Sequence, residues 1–224
     1  MKLYCHPAST TSRIVMLFAA EEGIDLDYQV VDLFTGEHLK PSYAGLNPNS
    51  LVPMLEDGDF RLTESSAILK YLADLKGSTA YPKPLRERAH VNEMMDWFNA
   101  NFYRDFAYGL VYSQVFPHHR RPSDEVQAGT VAWGRDKARG WLKILDEHLL
   151  GPRKPYVCGE RITLADYLGA EMVYAGALVH CDFANWPNVD RWLGRMKSLR
   201  SWSKVHETFD AFVASTKDAA LVPI

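Results

Sequence analysis

The chain has 224 residues, 47% of them hydrophobic and 24% charged, with a formal net charge of −3. This balance suits a soluble globular protein of one large domain or two small ones, and it lacks the basic excess that nucleic-acid binding requires. Three cysteines, Cys5, Cys158 and Cys181, are too few and too scattered for a disulfide framework and fit a reducing compartment. No apolar run approaches the ~18 residues that span a bilayer, and the residues after Lys2 do not read as a leader. The expectation is a cytoplasmic protein without a membrane partner.

Met1–Cys5 reads as a short buried strand ending before Pro7. Ser12–Glu22, with Ile14, Val15, Leu17, Phe18 and Ala19, has helical spacing, and Gly23 ends it. Leu26–Leu33 alternates roughly as a second strand. Gly36–Leu46 is a polar loop with room for one helical turn. Val52–Leu55 and Phe60–Leu62 flank Asp57-Gly58, a hairpin signal because glycine accepts positive φ. Ser65–Leu75 is the next helix.

Residues 77–85, with Gly77, Ser78, Pro82 and Pro84, have linker chemistry. Beyond them only helical patterns occur: Arg86–Tyr112, Ser123–Leu150, Thr163–Val179, Val189–Ser198 and Trp202–Ser215. Thr163-Leu164-Ala165-Asp166 reads as a capping box, with Asp166 reaching back to the Thr163 N–H, a folding device. His118-His119-Arg120-Arg121 reads as a solvated loop. The expected organisation is an α/β domain over 1–76, a linker over 77–85 and an all-helical domain over 86–224.

The stretch Asn47-Pro48-Asn49-Ser50-Leu51-Val52-Pro53-Met54-Leu55 carries the most chemical information. Proline cannot donate to a sheet ladder, so Pro53 belongs at a strand entrance. A cis bond there would turn the backbone toward a ligand. Glu64-Ser65 falls at a helix start, where free N–H groups attract a carboxylate. Cys5 has no partner at C-x-x-C spacing and sits within the first strand, where a free thiol is inert.

The N-P-x-x-x-V-P block, the following Glu64-Ser65 and the opening Met1-Lys2-Leu3-Tyr4-Cys5-His6-Pro7-Ala8-Ser9 with Arg13 resemble cytosolic glutathione transferases, most closely the serine-type phi and theta classes. The resemblance implies a thioredoxin-like N-terminal domain followed by an all-helical one, glutathione as co-substrate, and a homodimer; with no phosphate-cradling Gly-rich loop, H-E-x-x-H or clustered Cys/His spacing in the sequence, no metal or nucleotide is expected. It implies Ser9 as the hydroxyl that stabilises the glutathione thiolate, with Thr10 and Ser12 as fallbacks; locally, Ser9 or Ser12 also reads as a helix cap. It implies Val52 as the main-chain partner of the cysteinyl backbone, Pro53 as the residue holding that turn, and Glu64 with Ser65 at the γ-glutamyl end. The glycine carboxylate falls to His38 and Lys40, although Leu39 stands between them where the phi pattern places the cation directly after the histidine.

A small electrophilic substrate is expected between the domains, near a segment rich in aromatics: Trp97, Phe98, Phe102, Tyr103, Phe106, Tyr108, Tyr112 and Phe116. Two other functions fit the same motifs. One is a glutathione-dependent dehalogenase, isomerase or peroxidase; the other is a non-catalytic interaction module of the same fold.

Overall fold

The computed structural model describes residues 1–224. Strand β1 (Lys2–Cys5) leads through helix α1 (Thr10–Glu22) to β2 (Asp27–Val30), which pairs parallel to β1. After a 3-10 turn at Glu37–Leu39 and the short α2 (Pro41–Ala44), β3 (Met54–Asp57) and β4 (Phe60–Thr63) form the expected hairpin. Gly58 takes φ 63° at its tip. The sheet order is β2-β1-β3-β4, and α3 (Ser65–Lys76) packs beside α1 on it. This is a thioredoxin-like domain.

Leu3 and Leu55 stand opposite each other in the β1–β3 register and are fully buried among Ile14, Leu17, Phe18, Ile68, Leu69 and Leu72. Burial of this face is the main stabilising term for the sheet. The second strand is shorter than its alternation suggested. Leu26 and Val31 are buried, whereas Val30 is 59% exposed, because β2 is an edge strand bonded only to β1. The third strand begins at Met54, two residues later than expected. Pro53 has no N–H to give a ladder, so pairing starts beyond it.

The remainder is helical. Helix α4 (Leu85–Trp97) continues into a π-helical stretch over Phe98–Val111 and then α5 (Tyr112–Val115). Helix α6 (Asp124–Ile144) continues into π turns over Leu145–Leu150. Helix α7 (Leu164–Tyr174), α8 (Pro187–Lys197) and α9 (Trp202–Ser215) complete the domain. No helix is long and apolar enough to cross a membrane. A single cluster of buried residues runs from Leu3 and Phe18 through Phe98 and Leu168 to Phe209, so the two halves share one core. The connecting segment is docked and not free: Ala80 and Tyr81 are buried, and the Ala80 carbonyl accepts the Leu164 N–H.

Asp166 does more than close a capping box. Its carboxylate accepts the Thr163 N–H at 2.8 Å and the Thr163 hydroxyl at 2.9 Å. It also accepts the Val157 N–H at 2.9 Å and the Trp192 indole N–H at 3.0 Å. Four donors satisfy one wholly buried carboxylate, and together they tie the start of α7 to α8 and to the loop before α7. Asp166→Ala leaves those donors without partners in a dry interior, so it should destabilise the fold by about 3 kcal/mol or more. Urea unfolding monitored by tryptophan fluorescence measures this; a loss below about 1 kcal/mol would contradict the assigned role.

Candidate active site

One cleft of about 480 Å³ lies where the sheet domain meets the helical domain. His6, Ser9, Thr10, Thr11, His38, Val52, Pro53, Glu64 and Ser65 line its sheet-domain side. These residues come from four separate segments. The fold gathers them because the loop after β1, the loop before β3 and the start of α3 all end at the same edge of the sheet.

Ser9 is the N-cap of α1, and its Oγ accepts the Ser12 N–H at 3.3 Å. Capping uses an oxygen lone pair and leaves the hydroxyl proton free, so the capping and functional readings of Ser9 are compatible. Thr11 donates its own proton to the Val52 carbonyl at 2.9 Å. The 3.1 Å contact between the Ser9 and Thr11 hydroxyls therefore has Ser9 as donor. That proton faces another hydroxyl and is available to turn toward a stronger acceptor. Ser12, by contrast, is fully buried, accepts the His6 N–H at 3.2 Å and does not reach the cleft. It is a folding residue.

The loop carrying Ser9 is held from beneath. Arg13 is wholly buried and donates Nη1 to the Ala8 carbonyl at 2.8 Å. Its Nε donates to Glu171 Oε2 at 3.0 Å, and its guanidinium stacks 3.6 Å from the Phe209 ring. His206 Nε2 lies 2.9 Å from the other Glu171 oxygen. Helices α1, α7 and α9 thus fix the residue that precedes Ser9 through a buried ionic cluster, which a single-residue change would leave with an unpaired charge.

The Val52–Pro53 peptide is cis. The preceding carbonyl, of Leu51, is clamped by the Tyr43 hydroxyl at 2.6 Å and the Asn47 amide at 2.7 Å. With Thr11 on the next carbonyl, this holds the Leu51–Pro53 backbone at the cleft. Glu64 has φ 65°, a left-handed value unusual for a residue with a side chain and a recurrent mark of functional sites. Ser65 follows as the first residue of α3, so the helix N-terminus opens on the cleft with its free N–H groups and positive potential.

His38 lines the cleft, and its Nδ1 is buried without a protein partner. Lys40 is exposed in the turn that starts α2 and does not line the cleft. The two residues expected together are thus separated: His38 lines the cleft and Lys40 does not. Cys5 is buried outside the cleft, and burial pushes its thiol up to about 12.

The opposite wall comes from the helical domain. Of the aromatic residues flagged in the sequence, Phe98, Phe102 and Phe106 are core and Trp97 packs against it, whereas Tyr103, Tyr108, Tyr112 and Phe116 reach the cleft. Phe34 and Phe212 join them, edge to face at 5.5 Å. His118 and His119, expected in a solvated loop, also line the wall, with the His119 ring stacked 5.7 Å from Tyr112. Burial, with His118 and Arg121 nearby, lowers the His119 pKa, so this imidazole is neutral at neutral pH. The expectation holds for Arg120 and Arg121, which are exposed. A cleft with one polar, anion-seeking wall and one aromatic wall is built for a polar peptide-like ligand beside an apolar one.

Residues 1–74 match the family model for the glutathione S-transferase N-terminal domain, and residues 103–199 match that for the C-terminal domain. Human glutathione S-transferase theta-2 is 32% identical, across 98% of this chain and 90% of its own length. The rat theta-2 enzyme is 30% identical over the same shares. Among solved structures, human glutathione transferase theta-2, in complex with glutathione and an unknown ligand, superposes with a TM-score of 0.84 at 28% identity, covering 99% of this chain and 92% of its own. A delta-class enzyme from Nilaparvata lugens superposes at 0.80 with 31% identity, covering 96% and 98%. The chain belongs to the glutathione S-transferase family, and the human and rat relatives named above are theta-class enzymes.

Proposed function

We propose that this glutathione transferase works by a serine-type mechanism, with the cleft holding glutathione in one orientation. Glu64 takes the α-amino group of the γ-glutamyl end. Ser65 and the α3 N-terminus take its α-carboxylate. Val52 exchanges main-chain hydrogen bonds with the cysteinyl unit in the manner of an added strand, on the turn that Pro53 holds. His38 meets the glycine carboxylate. Lys40, away from the cleft, has a long-range electrostatic part only. Ser9 donates its hydroxyl proton to the sulfur.

The observation that carries this reading is the convergence of Ser9, Val52–Pro53, His38 and Glu64–Ser65 on one cleft edge. The thiol releases its proton to solvent, and the thiolate forms a carbon–sulfur bond with an electrophilic carbon. In a displacement the bond to the leaving halide breaks and its electrons depart with the halide. The aromatic wall supplies an apolar seat for that partner.

The domains divide at Lys76, where α3 ends on Gly77 at φ 69°, and at Leu85, where α4 begins, with 77–85 as linker. A cytoplasmic location fits three cysteines that are all free. Homodimerisation fits the exposed apolar side chains Phe60, on the β4 edge, and Trp133 on α6; light scattering at micromolar concentration reads it.

Product analysis with activated aryl halides, haloalkanes and hydroperoxides tests the reaction type. Thioether formation from an aryl halide supports conjugation. Turnover of hydroperoxide alone favours the peroxidase variant, and absence of glutathione binding at millimolar concentration would leave only an interaction module.

A further inference from the structure

We propose that Thr10 is a second hydrogen-bond donor to the glutathione thiolate, fed by a buried relay of hydroxyls running from Tyr103 through Tyr112 to Thr10. The proposal rests on the reading that Ser9 meets the sulfur, since Thr10 is its neighbour on the same cleft edge.

The directions of the protons carry the argument. The Tyr112 hydroxyl donates to Thr10 Oγ1 at 2.8 Å. A phenol has one proton, so in the 2.8 Å contact between the Tyr103 and Tyr112 hydroxyls Tyr103 is the donor. The relay therefore points one way, from the helical domain toward the first turn of α1. Thr10 accepts at its end, makes no hydrogen bond of its own as donor within the protein, and has its residual 4% exposure at a position lining the cleft. Its proton is the free end of the chain, and it emerges one residue from Ser9.

The helix that supplies both phenols is shaped for this. Tyr103 and Tyr112 are nine residues apart. At 3.6 residues per turn this is two and a half turns, which would put them on opposite faces of an α-helix. The wider turns between Phe98 and Val111 bring them back to one face, with rings 5.9 Å apart and perpendicular. π-helical turns are rare and concentrate at functional sites. Burial raises both phenol pKa values, so both remain neutral donors across the working pH range. Linked hydroxyls polarise one another by about 10–30% per bond, which strengthens the last donor toward an anion.

A chain ending on a main-chain carbonyl would do no more than satisfy two buried phenols. This one terminates on a hydroxyl that still has a proton to give. Thr10 is thus a catalytic residue by contact with the sulfur, and Tyr112 and Tyr103 are positioning residues acting through it.

The test is the thiolate absorbance of enzyme-bound glutathione against pH in wild type, Thr10→Val, Tyr112→Phe, the double variant, Thr10→Ser and Ser9→Ala. Thr10→Val should raise the bound thiol pKa by about 0.5–1 unit, a three- to tenfold drop in thiolate below that pKa. Tyr112→Phe should raise it less, the double variant should match Thr10→Val, and Thr10→Ser should restore the wild-type value. Read at about pH 5.5, where the bound thiol is still protonated, glutathione affinity should change less than about twofold in the Thr10 and Tyr112 variants.

An unchanged pKa in Thr10→Val, with Ser9→Ala shifted, would overturn the relay and leave the Ser9 reading intact. Additive shifts from Thr10→Val and Tyr112→Phe would also overturn it, because Tyr112 would then act independently of Thr10. No shift in Ser9→Ala as well would remove the thiolate site itself.

Discussion

Ser9→Ala should raise the thiol pKa of bound glutathione by about 1–2 units while leaving its dissociation constant, read at about pH 5.5 where the bound thiol is still protonated, within about threefold. A free thiol titrates near ~8.5, and bringing it about two units lower takes roughly 2.7 kcal/mol of preferential stabilisation of the anion. One hydrogen bond to a charged acceptor contributes ~1.5–3 kcal/mol. Ser9 is placed to supply that bond: its oxygen caps α1 while its proton lies against the Thr11 hydroxyl, from which it can turn. The substitution removes the donor and leaves in place Glu64, Ser65, His38 and the Val52 backbone, the groups proposed to hold the tripeptide. It also removes a cap, so a stability loss of about 1 kcal/mol should accompany it. Stopped-flow conjugation at saturating glutathione separates the effects, since rate should fall with thiolate fraction. A large loss of affinity with an unshifted pKa would reverse the roles assigned to Ser9 and to the glutamyl site.

Glu64→Ala should do the opposite. Loss of a charge-assisted contact to the α-amino group is worth ~1.5–3 kcal/mol, a roughly 10- to 100-fold weaker affinity. The bound thiol should keep its depressed pKa once glutathione is raised to saturation. The strained backbone at Glu64, with φ 65°, is retained by alanine, so the change reports on the side chain and not on relief of the turn. Calorimetric titration gives the affinity. Equal losses of affinity in Ser9→Ala and Glu64→Ala would contradict a division between binding and activation.

The parts legible in the sequence are those set by local rules. Gly23 ends α1 in the left-handed conformation, at φ 62°. Asp57-Gly58 turns the hairpin, and the Trp202–Ser215 helix has the bounds its periodicity suggested. Ser9, Val52–Pro53 and Glu64–Ser65 were visible because each couples a special residue to a strand or helix end. Contacts across long separations were not visible. Nothing near His118 or His119 signals that the turn after α5 folds back onto the cleft, 109 residues or more from Ser9. Tyr43 and Asn47 read as loop residues, yet they hold the Leu51 carbonyl. Periodicity also could not separate Phe102 from Tyr103. It reports which residues share a helix face, and the π-helical stretch changes which residues those are.

The central claim is that this cleft holds glutathione as a thiolate at neutral pH. The most direct measurement is an ultraviolet difference titration of the wild-type protein saturated with glutathione, from about pH 5 to pH 9.5. A saturable thiolate band with a midpoint about two units below the ~8.5 of a free thiol is the expected result. Saturable binding with a midpoint at the free-thiol value would contradict it, showing a site that holds glutathione without activating it.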